Sequence, residues 1–143
     1  MKPYLITVGE PAGIGPDCII RAFSGTPDAF QECIITAPAS WLQQRADEIN
    51  LKINIREYSS LHEACTFTSE TDLLRCWNPH IDLSAAAVTP GAPSAATARA
   101  VIAYIETATR SCLKQDARAL ITGPIEKAIL KSEGFQFPGH TEF

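Results

Sequence analysis

A chain of 143 residues with 45% hydrophobic and 20% charged residues has the composition of a single globular domain. Its net charge of −4 argues against nucleic acid and anionic membranes as partners, because both call for a basic surface. Five cysteines, an odd number without CxxC spacing, argue against a disulfide framework and read mostly as reduced core thiols of a cytoplasmic protein. The apolar run after Met1 is too short for a signal peptide, and no stretch approaches the roughly 20 apolar residues of a membrane span.

Tyr4 to Val8 is a short β-prone run. It leads into Gly9-Glu10-Pro11-Ala12-Gly13-Ile14-Gly15-Pro16, a loop dense in Gly and Pro. Pro16 suits the first position of a helix, and Asp17 then faces the positive end of its dipole. Ile19, Ile20 and Phe23 supply an apolar stripe, and Gly25-Thr26-Pro27 ends the helix. Cys33 to Ala37 reads as a second strand. Ala39 to Ile49 reads as a helix with Trp41, Leu42, Ala46 and Ile49 on one face, and Ile53 to Tyr58 as a third strand. Alternation of strand and helix predicts a parallel sheet.

Residues 59–88 are less regular. Leu73 to Trp77 and Ala85 to Val88 read as strands, with turn chemistry at Asn78, Pro79 and Asp82 between them. Ser94 to Leu113 carries the strongest helical pattern, with Ala95, Ala98, Val101, Ile102, Ile105, Ala108 and Cys112 at i, i+3, i+4 spacing and Ser94 as N-cap. Ala119 to Thr122 is the next strand. Gly123-Pro124 follows, then a helix from Ile125 to Glu133 closed by Gly134.

Two places share one design: a strand runs into a Gly-Pro loop and then a helix, once through Gly9, Glu10, Gly13 and Gly15, and once through Gly123-Pro124. In a parallel sheet both helix starts lie at the carboxyl edge, where open α/β sheets bind ligands. Helix N-termini favour anions such as phosphate. The first loop has neither GxGxxG spacing nor the end of a P-loop, and no HExxH, Cys/His cluster or G-x-S-x-G appears, so no metal site is built from this chain by spacing. Lys127, in the first helical turn after the second loop, opposes the dipole; it reads either as a solvated lysine or as a ligand contact placed against local preference. Glu126 suits the helix start. In Gly139-His140-Thr141 the imidazole and hydroxyl can contact an anion, while a lone His is more often structural. His62 and His80 read as surface or structural residues.

Ile6-Thr7-Val8-Gly9-Glu10-Pro11-Ala12-Gly13-Ile14-Gly15-Pro16-Asp17 resembles the opening signature of the 4-hydroxythreonine-4-phosphate dehydrogenases. Leu120-Ile121-Thr122-Gly123-Pro124-Ile125-Glu126-Lys127 and Phe137-Pro138-Gly139-His140-Thr141-Glu142-Phe143 resemble that family's next two signatures, in order and spacing. Residues 59–90 match only loosely. The resemblance implies a three-layer α/β/α fold with a largely parallel sheet, similar to isocitrate and isopropylmalate dehydrogenases. Residues 1–143 are then the incomplete N-terminal part of a two-lobed enzyme. It implies oxidation of 4-phosphooxy-L-threonine by NAD or NADP, followed by decarboxylation, in pyridoxal phosphate biosynthesis. A divalent metal (Zn, Mg or Co) and a cytoplasmic homodimer belong to the same expectation.

His140 and Thr141 carry over as substrate contacts, whereas the family's metal-binding histidines and most of its cofactor site lie beyond Phe143. Glu126 departs from relatives, which often have His or Asn before the Lys. Two rival readings remain: dehydrogenation of another phosphorylated sugar acid, such as a threonate or erythronate phosphate, and a non-catalytic fragment that binds an anion or a partner.

Overall fold

The computed structural model describes residues 2–66, 70–84, 87–139 and 142. Five strands, β1 (Tyr4–Thr7), β2 (Cys33–Thr36), β3 (Asn54–Tyr58), β4 (Leu73–Trp77) and β5 (Ala119–Thr122), form one sheet in the order β3-β4-β2-β1-β5. Every pairing is parallel. The helices are α1 (Gly15–Gly25), α2 (Ala39–Glu48), the four-residue α3 (Leu61–Ala64), α4 (Ala95–Leu113) and α5 (Lys127–Ser132), with a 3-10 turn at Pro27–Phe30. The sequence reading of a parallel α/β/α sheet is what the structure has.

The layers follow from strand alternation. Ile6 and Val8 of the first strand and its exit point to one face, where they pack with Ile19, Ile20 and Phe23 of α1 and with Trp41, Leu42 and Ala46 of α2. Leu5 points to the other face, against Ala64 of α3 and Ala108 of α4. Each such fully buried aliphatic side chain contributes about 1.5–3 kcal/mol. A third cluster joins Ala98, Val101 and Ile105 of α4 to Leu130 of α5 and Phe135 of the tail.

Several boundaries move. α1 begins at Gly15, so Pro16 takes the second helical position. α5 begins at Lys127, because Glu126 is extended (φ −92°, ψ 96°) and acts as N-cap, and it stops at Ser132 before Gly134 turns the chain at φ +92°. Ala85 and Ala86 lie outside the described residues. Ala87 and Val88 are not in a strand: Val88 packs on the α1–α2 side and against Leu83 and Tyr104, as part of a crossing over the sheet edge towards α4. The 3-10 turn and α3 are too short to leave a periodic pattern. Within α4, Ser94 is the N-cap of a capping box with Thr97. Ala95 is exposed, while Ala100 and Tyr104, outside the predicted stripe, are buried against Leu83 because the crossing segment covers a second face of the helix. Cys33 and Cys76 are buried, Cys65 and Cys112 half-buried, and Cys18 exposed on the outer side of α1, an exception to the core reading of the thiols.

α1 and α2 are joined by a two-pronged ion pair: Arg45 Nε donates to Asp17 Oδ1 at 2.6 Å and a terminal nitrogen to Oδ2 at 2.8 Å. That hydrogen bond holds the Asp17 carboxyl below its ordinary range. A carboxyl lowered in the folded state stabilises above its unfolded pKa, here 3.8, and loses that contribution as pH falls through its lower folded value. Asp17→Asn is expected to cost about 1.5–3 kcal/mol at pH 7, as for a hydrogen bond to a charged group. Urea denaturation should show the gap between variant and parent closing below about pH 4; a gap independent of pH would contradict this account.

Candidate functional site at the carboxyl edge of the sheet

β1 and β5 are far apart in sequence and adjacent in the sheet, with Thr7 opposite Thr122. Their exit loops therefore leave side by side. Gly123 N–H donates to Thr7 O at 2.8 Å, and Glu10 N–H donates to Pro124 O at 2.8 Å. The contact tolerates no side chain. A Cβ on Gly9, which sits at φ +74°, would lie 2.6 Å from Gly123 C and 2.8 Å from Pro124 N. A Cβ on Gly123 would lie 2.6 Å from Val8 C, and one on Gly15 would collide with Val8 O. Gly13 is different: exposed, with Glu10 O at 3.2 Å from its Cβ position.

Glu10 lies inside this loop and is 4% exposed. Its Oε1 accepts Ala12 N–H at 3.0 Å, and its carbonyl accepts Gly13 N–H at 2.9 Å. Its Oε2 and the Oγ1 of Thr7 are buried without a hydrogen-bond partner among the described residues. Gly91 N–H donates to Ala12 O at 2.7 Å, which ties the segment before α4 to the same loop.

Two of the helix starts along this edge, those of α2 and α5, are met by the chain's own carboxylates, while the head of α1 has no side-chain cap. Glu57 of β3 accepts Ala39 N–H at 2.6 Å at the head of α2, and Glu126 Oε1 accepts Ala128 N–H at 3.3 Å at the head of α5. The dipole argument for anion binding is weaker at α2 and α5 than it looks in sequence, since internal carboxylates already take up N–H groups there and α5 has only six residues. Glu57 was not legible as a cap, because its partner is a helix 18 residues away.

Lys127 is the first residue of α5 and is exposed. Its side chain turns towards the tail: the Cβ position of buried Gly139 lies 3.8 Å from both Cε and Nζ of Lys127 and 3.3 Å from Glu142 Oε2. His140 and Thr141 lie outside the described residues. His62 and His80 are exposed, His62 on α3 and His80 in the turn after β4. Burial pushes the thiols of Cys33, Cys65, Cys76 and Cys112 up, so they are protonated at neutral pH and unsuited to nucleophilic roles. Among the described residues no group of three or more His, Cys, Asp or Glu side chains converges to hold a metal ion, so no metal-dependent step is assigned to them. Among them, too, no helix is long and apolar enough to cross a membrane. A depression of about 540 Å³ opens beside Lys2, His62, Cys65 and Asp116, at the opposite, amino edge of the sheet.

An open parallel sheet with two interlocked glycine loops at its carboxyl edge defines a protein of the ligand-binding α/β class. Residues 29–143 match the family model described as "Pyridoxal phosphate biosynthetic protein PdxA". The chain belongs to this family. It is 38% identical over 138 residues to the 4-hydroxythreonine-4-phosphate dehydrogenase of Thioalkalivibrio sulfidiphilus, covering 96% of this chain and 40% of that protein. It is 35% identical over 148 residues to the enzyme of the same name from Citrobacter koseri, covering 100% and 41%. Among solved structures, that of a putative 4-hydroxythreonine-4-phosphate dehydrogenase from Salmonella typhimurium superposes with a TM-score of 0.83 at 26% identity, over 99% of this chain and 43% of that one. The chain thus spans about two-fifths of the length of the curated relatives it matches.

The interlock has a measurable consequence. Gly123→Ala and Gly15→Ala should each destabilise by about 1–3 kcal/mol or more, since backbone rather than a flexible side chain must move. Gly25→Ala, with nothing within 4 Å of its Cβ position at the end of α1, should be neutral or gain about 0.4–1 kcal/mol. Chemical denaturation midpoints that rank the three substitutions otherwise would refute the steric reading.

Proposed function

We propose that residues 1–143 are the N-terminal part of a two-lobed enzyme that oxidises 4-phosphooxy-L-threonine with NAD or NADP, with decarboxylation following, in pyridoxal phosphate biosynthesis. The observation that carries the reading is the family match over residues 29–143, together with relatives named for this dehydrogenase. The interlocked loops at the carboxyl edge support it, since that edge is where such sheets hold ligands. In this reading the loop of Gly9, Glu10, Gly13 and Gly15 forms one wall of the cleft. His140 and Thr141 contact the phosphorylated substrate, and Lys127 adds a positive charge for the same ligand. The work of this part of the enzyme is to bind and orient the substrate. The nicotinamide and the divalent metal would be held mainly by polypeptide beyond it, in a cytoplasmic homodimer.

The free edge of β5 fits an incomplete unit. Ile121 on that strand is 47% exposed, and Ile14 on the adjoining loop is 65% exposed, where further polypeptide would pack. The test has two arms. Residues 1–143 alone, given substrate, NAD(P) and a divalent metal, should reduce no nicotinamide. In a full-length enzyme carrying this sequence, His140→Ala and Thr141→Ala should each lower kcat/KM for 4-phosphooxy-L-threonine by about 10- to 100-fold, the loss of one charge-assisted hydrogen bond. Higher turnover of erythronate phosphate than of 4-phosphooxy-L-threonine would move the assignment to the sugar-acid enzymes. Turnover by residues 1–143 would overturn the reading of an incomplete site.

A further inference from the structure

We propose that Glu10 is a ligand-binding residue, whose second carboxylate oxygen accepts a hydrogen bond from a hydroxyl or amide group of the molecule bound at the head of α1. The proposal rests on the reading of loop 9–15 as a wall of the cleft. It starts from a side chain that the fold satisfies only by half. Glu10 is 4% exposed. Its Oε1 accepts Ala12 N–H at 3.0 Å, whereas its Oε2 has no hydrogen-bond partner among the described residues. The hydroxyl of Thr7 does not supply the donor, since Thr7 Oγ1 is itself buried without a partner among them. An unpaired buried acceptor is costly and uncommon, so each one calls for a physical reason.

The surroundings of Glu10 select the ligand group. The bond to Ala12 N–H folds the carboxyl under the turn that leads into α1. The Cβ position of Gly13 lies 3.5 Å from Glu10 Cβ and 3.6 Å from its Cγ. Gly13 is exposed, and it has no side chain to cover that stem. α1 begins two residues later with no side-chain cap, which leaves its first N–H groups without a side-chain partner. A carboxylate beside them repels a phosphate. It is matched instead by a neutral group that donates to Oε2 and accepts from the helix, as hydroxyl and carboxamide groups do. A phosphorylated hydroxy acid offers hydroxyls, and NAD(P) offers ribose hydroxyls and a carboxamide.

Calorimetric titration of 4-phosphooxy-L-threonine and, separately, of NAD(P) into the full-length enzyme with a divalent metal distinguishes the two sources. Glu10→Gln keeps an oxygen for Ala12 N–H and replaces the free acceptor by an amide N–H. It should weaken one of the two ligands by about 10- to 100-fold, the loss of one hydrogen bond to a charged group, and leave the other unchanged. The denaturation midpoint of the ligand-free enzyme should not fall. The ligand that weakens is the one that donates to Glu10. Glu10→Ala, which also frees Ala12 N–H, should weaken the same ligand at least as much. Unchanged affinity for both ligands in Glu10→Gln would overturn the proposal and leave Glu10 as a brace of the loop. Weakening of both with a lowered midpoint would overturn it too, as a general disturbance of the loop. If the parent enzyme binds neither compound, the reading of the cleft fails, and this proposal with it.

Discussion

The contact between the Val8–Gly9 and Gly123–Pro124 backbones sets the geometry of the whole carboxyl edge. Two parallel strands in register bring their exit loops within hydrogen-bond reach, and glycine at positions 9, 15 and 123 lets main chain touch main chain. Had any of the three carried a Cβ, β5 would have to shift from β1 or the loops would splay. The sheet, the start of α1 and the lead into α5 therefore behave as one rigid piece, and two signatures separated by more than half the chain form a single structural unit.

The same edge shows how the chain handles its exposed helix starts. Glu57 and Glu126 cap α2 and α5, Ser94 and Thr97 close the head of α4, and Glu10 folds its carboxylate back on the loop before α1. At α2 and α5 the dipole thus meets the chain's own acids, whereas the head of α1 has no side-chain cap. In the proposed function, attraction of a phosphorylated ligand near α5 would fall to side-chain cations such as Lys127, while the head of α1 keeps N–H groups without a side-chain cap. Glu10 is the exception in character: its Oε2, like Thr7 Oγ1, is buried with no partner among the described residues, which is uncommon enough in folded proteins to single out the exit of β1.

Much of the fold was legible because its signals are local. Leu73–Trp77 and Ala119–Thr122 are β-prone runs bounded by turn residues, and the structure has them at those bounds. Ala98, Val101, Ile105 and Ala108 recur at helical spacing, and all are buried. What was not legible depends on distant partners. Tyr104 is buried because Leu83 and the segment around Val88 cross over α4, which no periodicity in α4 announces. Val88 looked like part of a strand because it is apolar, and it is apolar because it packs between two clusters. For the site, the glycine-rich loops were evident as loops. Their mutual contact was not, since it depends on a strand order that places the fifth strand beside the first. The proposed substrate contacts His140 and Thr141 were reached through resemblance to a family, and they lie outside the described residues.

The position of Lys127 shows how the rigid edge is extended to the tail. Phe135 is buried with Ala98, Val101 and Ile105 of α4 and Leu130 of α5, and its N–H donates to Leu130 O at 3.0 Å. Its ring also meets that of Phe137 edge-on, with centroids 5.5 Å apart. Gly134, at φ +92°, turns the chain so that this anchor can form directly after α5. The tail therefore doubles back along the helix and brings Gly139 to Lys127 at the helix's first residue. A six-residue helix suits this return, because its length sets how far the tail must run to reach its own starting point. Placement of the Gly139 turn thus depends on apolar packing of the α4–α5 pair.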